Sequence, residues 1–131
     1  MATVKILFSA NASNVENYLK NKKDVEGPTT ERDCKLERLT LDFSATQAIH
    51  DSKGNSAIHI IQSWSPQESK TLTREQIHEM GQKLVDRFAP GHQYVIQTHT
   101  DEKHSHNHIV LNPVSYETGN RIQKPGEYKY P

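Results

Sequence analysis

Apolar positions along this chain recur in two periods, and the change between them marks the elements. Residues 94–98 alternate, with Tyr94, Ile96 and Thr98 on one face and Val95, Gln97 and His99 on the other. A period of two predicts a strand. Residues 57–64 alternate likewise, Ile58, Ile60, Gln62 and Trp64 against Ala57, His59, Ile61 and Ser63. Residues 104–112 give a third such stretch. There His104, His106, His108, Val110 and Asn112 share one face, and Asn107, Ile109 and Leu111 point the other way. Residues 100–103 are polar and predict a turn, so that 94–98 and 104–112 form a hairpin and His99 comes beside the histidine row. A short apolar run at 4–9 predicts a further strand.

The period becomes helical over residues 73–88. Ile77, Met80, Leu84 and Phe88 follow helical spacing on one face. Thr73 and Gln76 make a capping box, and Leu72 with Ile77 makes a hydrophobic staple. Pro90-Gly91 stops this helix. A shorter helix is expected from Ser13 as N-cap, with Glu16 completing its capping box and Val15, Tyr18 and Leu19 on one side. Residues 24–33 are charged, contain Gly27-Pro28 and predict a loop. Leu39, Leu41 and Phe43 alternate, which favours a strand, and 44–50 suit one or two helical turns. Residues 51–55 and 117–120 predict turns, Arg121-Ile122 can begin another strand, and 123–131 form a tail without a core pattern.

Length changes the picture little: 131 residues suit one domain, 1–131, and the hydrophobic share of 33% predicts a lean core. The single cysteine, Cys34, excludes a disulfide framework within the chain and suits a reducing cytoplasm. No apolar run approaches a membrane span, no signal-peptide pattern opens the chain, and there is no internal repeat. Formal net charge is zero. A polyanionic partner would then require uneven charge or a bound cation. Lys20, Lys22 and Lys23 form one basic cluster, and Arg121, Lys124 and Lys129 another; either also suits a solvated surface.

The candidate chemistry lies in the histidines, four of which fall between positions 99 and 108. A scavenging tract needs no buried apolar face, whereas this one carries Ile96, Ile109 and Leu111 at strand spacing. Three imidazoles converging on one point hold a divalent metal and leave positions open for substrate. His59 is expected to be a satisfied structural residue, because a lone strand histidine usually is.

The stretch H-T-D-E-K-H-S-H-N-H-I-V-L-N resembles the third motif of plasmid relaxases, the nucleases that nick DNA at a transfer origin. It is most similar to the P-type mobilisation group. The resemblance runs upstream through P-G-H-Q-Y-V, a helix and I-H-I-I-Q-S-W-S-P, and covers residues 57–114 well. The superfamily carries a His-hydrophobic-His motif. Ser105 and Asn107 stand between the histidines here, so the match is to the longer relaxase pattern.

The resemblance implies an α+β fold, one antiparallel sheet of about five strands with helices packed on one face. The helix over 73–88 should cross that face and the histidine row should look away from it. It implies a His-x6-His-x-His ligand set, His99, His106 and His108, with His104 in reserve and Glu102 as a further acidic ligand. Asp101 would orient an imidazole. It makes Tyr18 the nucleophile that forms a 5′-phosphotyrosyl bond, although the same stripe suits a core tyrosine packed on Val15 and Leu19. Tyr116 is the most plausible substitute. Manganese or magnesium suits the phosphate chemistry, and zinc, cobalt or nickel also suits imidazoles. The implied partners are single-stranded or hairpin origin DNA, held by Lys20, Lys22, Lys23, Arg121 and Lys124, with relaxosome accessory proteins and a conjugative coupling protein, in the bacterial cytoplasm without membrane insertion. Relaxase domains are usually longer, so a fragment or a compact relative is expected. Two rival functions share the motifs: a hydrolase using metal-bound water, and a non-catalytic origin-binding module.

Overall fold

The computed structural model describes residues 2–22, 27–100 and 104–123. Five strands, β1 (Thr3–Ser9), β2 (Thr29–Arg32), β3 (Ala57–Ser63), β4 (Tyr94–Thr100) and β5 (Ser105–Leu111), form one sheet in the order β1-β3-β5-β4-β2. Every neighbouring pair is antiparallel. Among the described residues four α-helices accompany it: α1 (Ala12–Asn21), α2 (Leu39–Ile49), α3 (Pro66–Thr71) and α4 (Arg74–Phe88). The α+β class and the five-stranded antiparallel sheet are as the resemblance implies.

The central strand β5 sets the geometry. It pairs His106 with His99 and His108 with Gln97 on β4, and His108 with Ile61 on β3. One face of these strands buries Ile58, Ile60, Tyr94, Ile96, Ile109 and Leu111 against Val85 and Ala89. Burying each such side chain fully contributes about 1.5–3 kcal/mol. That apolar face fixes the register, because a slip by one residue would carry it to the opposite side and the histidines with it.

Helix α4 covers the apolar face. Its N-terminus is the expected capping box of Thr73 and Gln76. Its buried stripe is Ile77, Gly81 and Val85 with His78; Leu84 is half-buried and Phe88 is 39% exposed. The contact line is thus rotated from the expected Ile77-Met80-Leu84-Phe88. Gly81 lies where an added Cβ would stand 2.7 Å from Asn107 Nδ2. Asn107 is fully buried there and bonds Thr98, Gln62 and the Ile77 carbonyl.

Helices are not confined to one face. On the histidine side, Ala57, Val95 and Val110 join Ala12, Val15 and Leu19 of α1 and Leu39 and Phe43 of α2 in a second cluster. Residues 39–43 are therefore helix, where alternation favours a strand. Leu39 and Phe43 are one helical turn apart and buried, and Leu41 between them is 70% exposed. The expected loop over 24–33 contains β2, which pairs its four residues with β4. The cap of α1 is Asn11, whose Oδ1 accepts the Ser13 N–H. Glu16 accepts instead from the Thr40 N–H and ties α1 to α2. Helix α3 opens on a Ser65–Glu68 capping box. Arg121 forms an isolated bridge with Val114 rather than a further strand.

Candidate active site

The face of the sheet away from α4 presents His99 from β4 and His106 and His108 from β5. Strand alternation puts them on one side, and the β4–β5 register puts them side by side. One ring nitrogen from each lies within 4.8 Å of the others. The ring centroids are 4.3 Å apart for His99 and His108, 5.0 Å for His106 and His108, and 5.5 Å for His99 and His106. His104 precedes β5 and is exposed; its ring stands 5.6 Å from His106, and it does not join the converging group. Asp101 and Glu102 lie outside the described residues.

His108 is held uncharged by its surroundings. Burial, then the neighbouring imidazoles His99, His59 and His106, push the His108 pKa down to about 2. A neutral imidazole keeps a lone pair. His99 Nε2 bonds the amide oxygen of Gln97, which can only accept, so Nε2 carries the ring proton and Nδ1 the lone pair. His108 Nε2 is buried and has no hydrogen-bond partner among the described residues. An unmade bond of that kind costs about 1–3 kcal/mol. A divalent ion on three imidazole nitrogens would satisfy it, so the residues present fit such a group.

Tyr18 overlooks this site from α1. Val15 and Leu19 of the same helix are buried and anchor it, whereas Tyr18 is 46% exposed. The expected common side for the three residues therefore divides, with Tyr18 at the border of core and solvent. Its ring lies 5.4 Å from that of His108 and 6.3 Å from that of His59. Together with Asn14, Val15 and Ile61, these three residues line a cleft of about 250 Å³. The other described tyrosines are engaged elsewhere. Tyr94 is buried on the α4 face and bonds Asp86; burial and that carboxylate raise its pKa. The Tyr116 hydroxyl is held by Asp33, which raises its pKa. Tyr128 and Tyr130 lie outside the described residues.

His59 is the residue the sequence argument set aside. Its Nε2 lies 2.9 Å from His108 Nδ1, and burial lowers its pKa. The available signal was its place on the same face as Ile61 in a strand that pairs with the histidine strand.

The basic residues divide. Lys20 bonds Glu16 and the Glu37 carbonyl. Lys22 follows α1, near enough to contribute to the low pKa of His108. Both line a groove of about 840 Å³ with Lys35, Arg38 and Gln97. Arg121 is spent inside the fold, its guanidinium donating to Ser52 Oγ and the Asn55 carbonyl. Lys23 and Lys124 lie outside the described residues.

Residues 14–130 match the family model of the MobA/VirD2-like relaxase nuclease domain. Among curated proteins, the chain is 35% identical over 124 residues to a Staphylococcus aureus protein named Protein rlx, covering 94% of this chain and 38% of that one. It is 43% identical over 73 residues to the group II intron-interrupted relaxase LtrB of Lactococcus lactis subsp. cremoris, covering 53% of this chain and 13% of that one. The chain thus spans well under half the length of these relatives. Among solved structures, the MobM relaxase domain, described as bound to 26-nucleotide pMV158 oriT DNA, shares the fold. The TM-score is 0.64 at 16% identity, covering 94% of this chain and 74% of that one.

Proposed function

The chain belongs to the MobA/VirD2-like relaxases, and from that premise we propose that it nicks one DNA strand at a transfer origin through a covalent tyrosyl intermediate. The observation that carries the mechanism is the position of Tyr18, whose ring lies 5.4 Å from a member of the histidine triad and borders solvent. A nucleophile must meet a phosphate just where that phosphate's charge is neutralised.

In this mechanism His99, His106 and His108 would hold a divalent ion. When bound, the ion supplies positive charge to a non-bridging phosphate oxygen. Tyr18 approaches from α1, held by the buried Val15 and Leu19. Its phenol gives its proton to solvent as the oxygen bonds to phosphorus. The bond from phosphorus to the 3′ oxygen breaks, and that oxygen takes up a proton from solvent and leaves as a hydroxyl. The phosphodiester energy stays in the tyrosyl bond, so resealing needs no nucleotide cofactor. Lys20 and Lys22 line the groove beside the site and supply charge for the strand.

The single-stranded or hairpin form of the origin is part of this proposal, because the strand must reach a partly buried site. So are relaxosome accessory proteins and a conjugative coupling protein as partners, with action in the bacterial cytoplasm. Among the described residues no helix is long and apolar enough to cross a membrane.

The test is incubation of the chain with manganese and a 3′-labelled single-stranded origin oligonucleotide. A protein–DNA adduct on a denaturing gel, carrying the 5′ phosphate, is the expected product. Cleavage without an adduct would establish a hydrolase instead. Origin binding without cleavage would establish a binding module.

A further inference from the structure

His59 and His108 come from neighbouring strands and place Nε2 against Nδ1 at 2.9 Å. Two neutral imidazoles share a single proton in such a contact, so only two arrangements exist. In the first, His59 donates. His108 then carries its proton on Nε2, a buried N–H for which the described residues offer no acceptor. In the second, His108 donates from Nδ1, and its Nε2 keeps a lone pair beside His99 and His106.

The second arrangement has a counterpart within the same triad. Gln97 Oε1 accepts the Nε2–H of His99 and thereby sets which nitrogen of that ring keeps its lone pair. His59 would do the same for His108 from the other side of β5. Its backbone is fixed on both flanks, opposite Leu7 on β1 and Val110 on β5. Its ring lies 5.1 Å from that of His108 and 6.3 Å from that of Tyr18.

We infer that His59 is a positioning residue, which accepts the Nδ1–H of His108 and so directs the His108 Nε2 lone pair to an ion shared with His99 and His106. The inference rests on the metal-holding role proposed for the triad. An imidazole ligand whose outer nitrogen is bonded holds its tautomer and orientation before the ion arrives.

Two measurements on the chain test it, with His59→Leu and His59→Gln beside the parent. Glutamine places an acceptor oxygen at about the reach of Nε2; leucine offers none. Nitrogen-15 NMR of the metal-free chain at neutral pH should show His108 protonated on Nδ1 in the parent and in His59→Gln, with that preference lost in His59→Leu. Calorimetric titration with zinc should show His59→Leu about 10–100-fold weaker and His59→Gln close to the parent. Circular dichroism confirms that both variants fold. A parent protonated on His108 Nε2 would overturn the inference, as would equal zinc affinity in all three or equal losses in both variants. A parent with the Nδ1–H tautomer that takes up no zinc would overturn the metal-holding role of the triad and leave the His59–His108 bond standing.

Discussion

The ring of Tyr18, on the first helix, stands 5.4 Å from that of His108, on the last strand of the sheet. Nothing local in the chain joins them. Val15 and Leu19 pin α1 to the same sheet face that β5 turns toward it, and this brings a phenol beside an imidazole cluster.

The ligand set is expected to be unequal. His106→Ala or His108→Ala removes one nitrogen of the converging group and should sharply weaken manganese binding in a calorimetric titration. His104→Ala should do much less, because His104 is exposed and outside that group. Equal losses at His99, His104, His106 and His108 would contradict the assignment.

Gly81→Ala should destabilise the chain although alanine is favoured over glycine in helices by about 1 kcal/mol. The new methyl would meet Asn107 Nδ2 at 2.7 Å. Asn107 cannot swing aside without breaking its bonds to Gln62 and the Ile77 carbonyl. A net loss of about 1–3 kcal/mol is expected in urea unfolding. A more stable variant would show that α4 yields to the methyl without strain.

Acid should weaken the metal-free fold before the carboxylates titrate. His78 is buried on α4, bonded to Thr98 and Thr30, and burial lowers its pKa; His59 and His108 shift in the same direction. Each therefore has a folded value below its unfolded value of about 6.5. The unfolded chain binds more protons once pH falls under that value, so the stability present above it is progressively lost. Each group that stays neutral in the folded chain contributes a slope that rises toward a limit of about 1.4 kcal/mol per pH unit as pH falls below that value. Urea unfolding from about pH 7.5 down to about pH 5.5 should show the loss. A flat profile would contradict it.

Lys22→Ala should lower the salt dependence of single-stranded origin binding, reducing the log–log slope by about 1. Arg121→Ala should act on stability instead, because its guanidinium joins Ser52 to Asn55. Unchanged salt dependence for Lys22→Ala would remove the groove beside α1 from the DNA path.

Much of this arrangement was legible in the sequence where pattern and burial agree. β3, β4 and β5 alternate because both faces of the sheet are covered by unlike material, isoleucines toward α4 and histidines away from it. The Thr73–Gln76 box marks α4 because its cap is made by its own neighbours. Elements that depend on distant partners were harder to see. The polar run Thr29–Arg32 becomes a strand only because β4 offers an edge. Leu39, Leu41 and Phe43 satisfy two periods at once, and packing against α1 selects the helical one. Ser13 looks like a cap, but Asn11, two residues earlier, takes the Ser13 N–H. His59 was passed over because only the pairing of β3 with β5 brings it to His108.

The central claim is that Tyr18 is the group that attacks the DNA. Tyr18→Phe removes the hydroxyl alone from a ring that is half-exposed, so fold and metal uptake should persist. The direct measurement is mass-spectrometric peptide mapping of the adduct formed with a single-stranded origin oligonucleotide, run beside Tyr18→Phe. A nucleotide on the peptide containing Tyr18, with no adduct and no cleavage in Tyr18→Phe, is the predicted result. A nucleotide on Tyr116 or any other tyrosine, or continued cleavage by Tyr18→Phe, would contradict it.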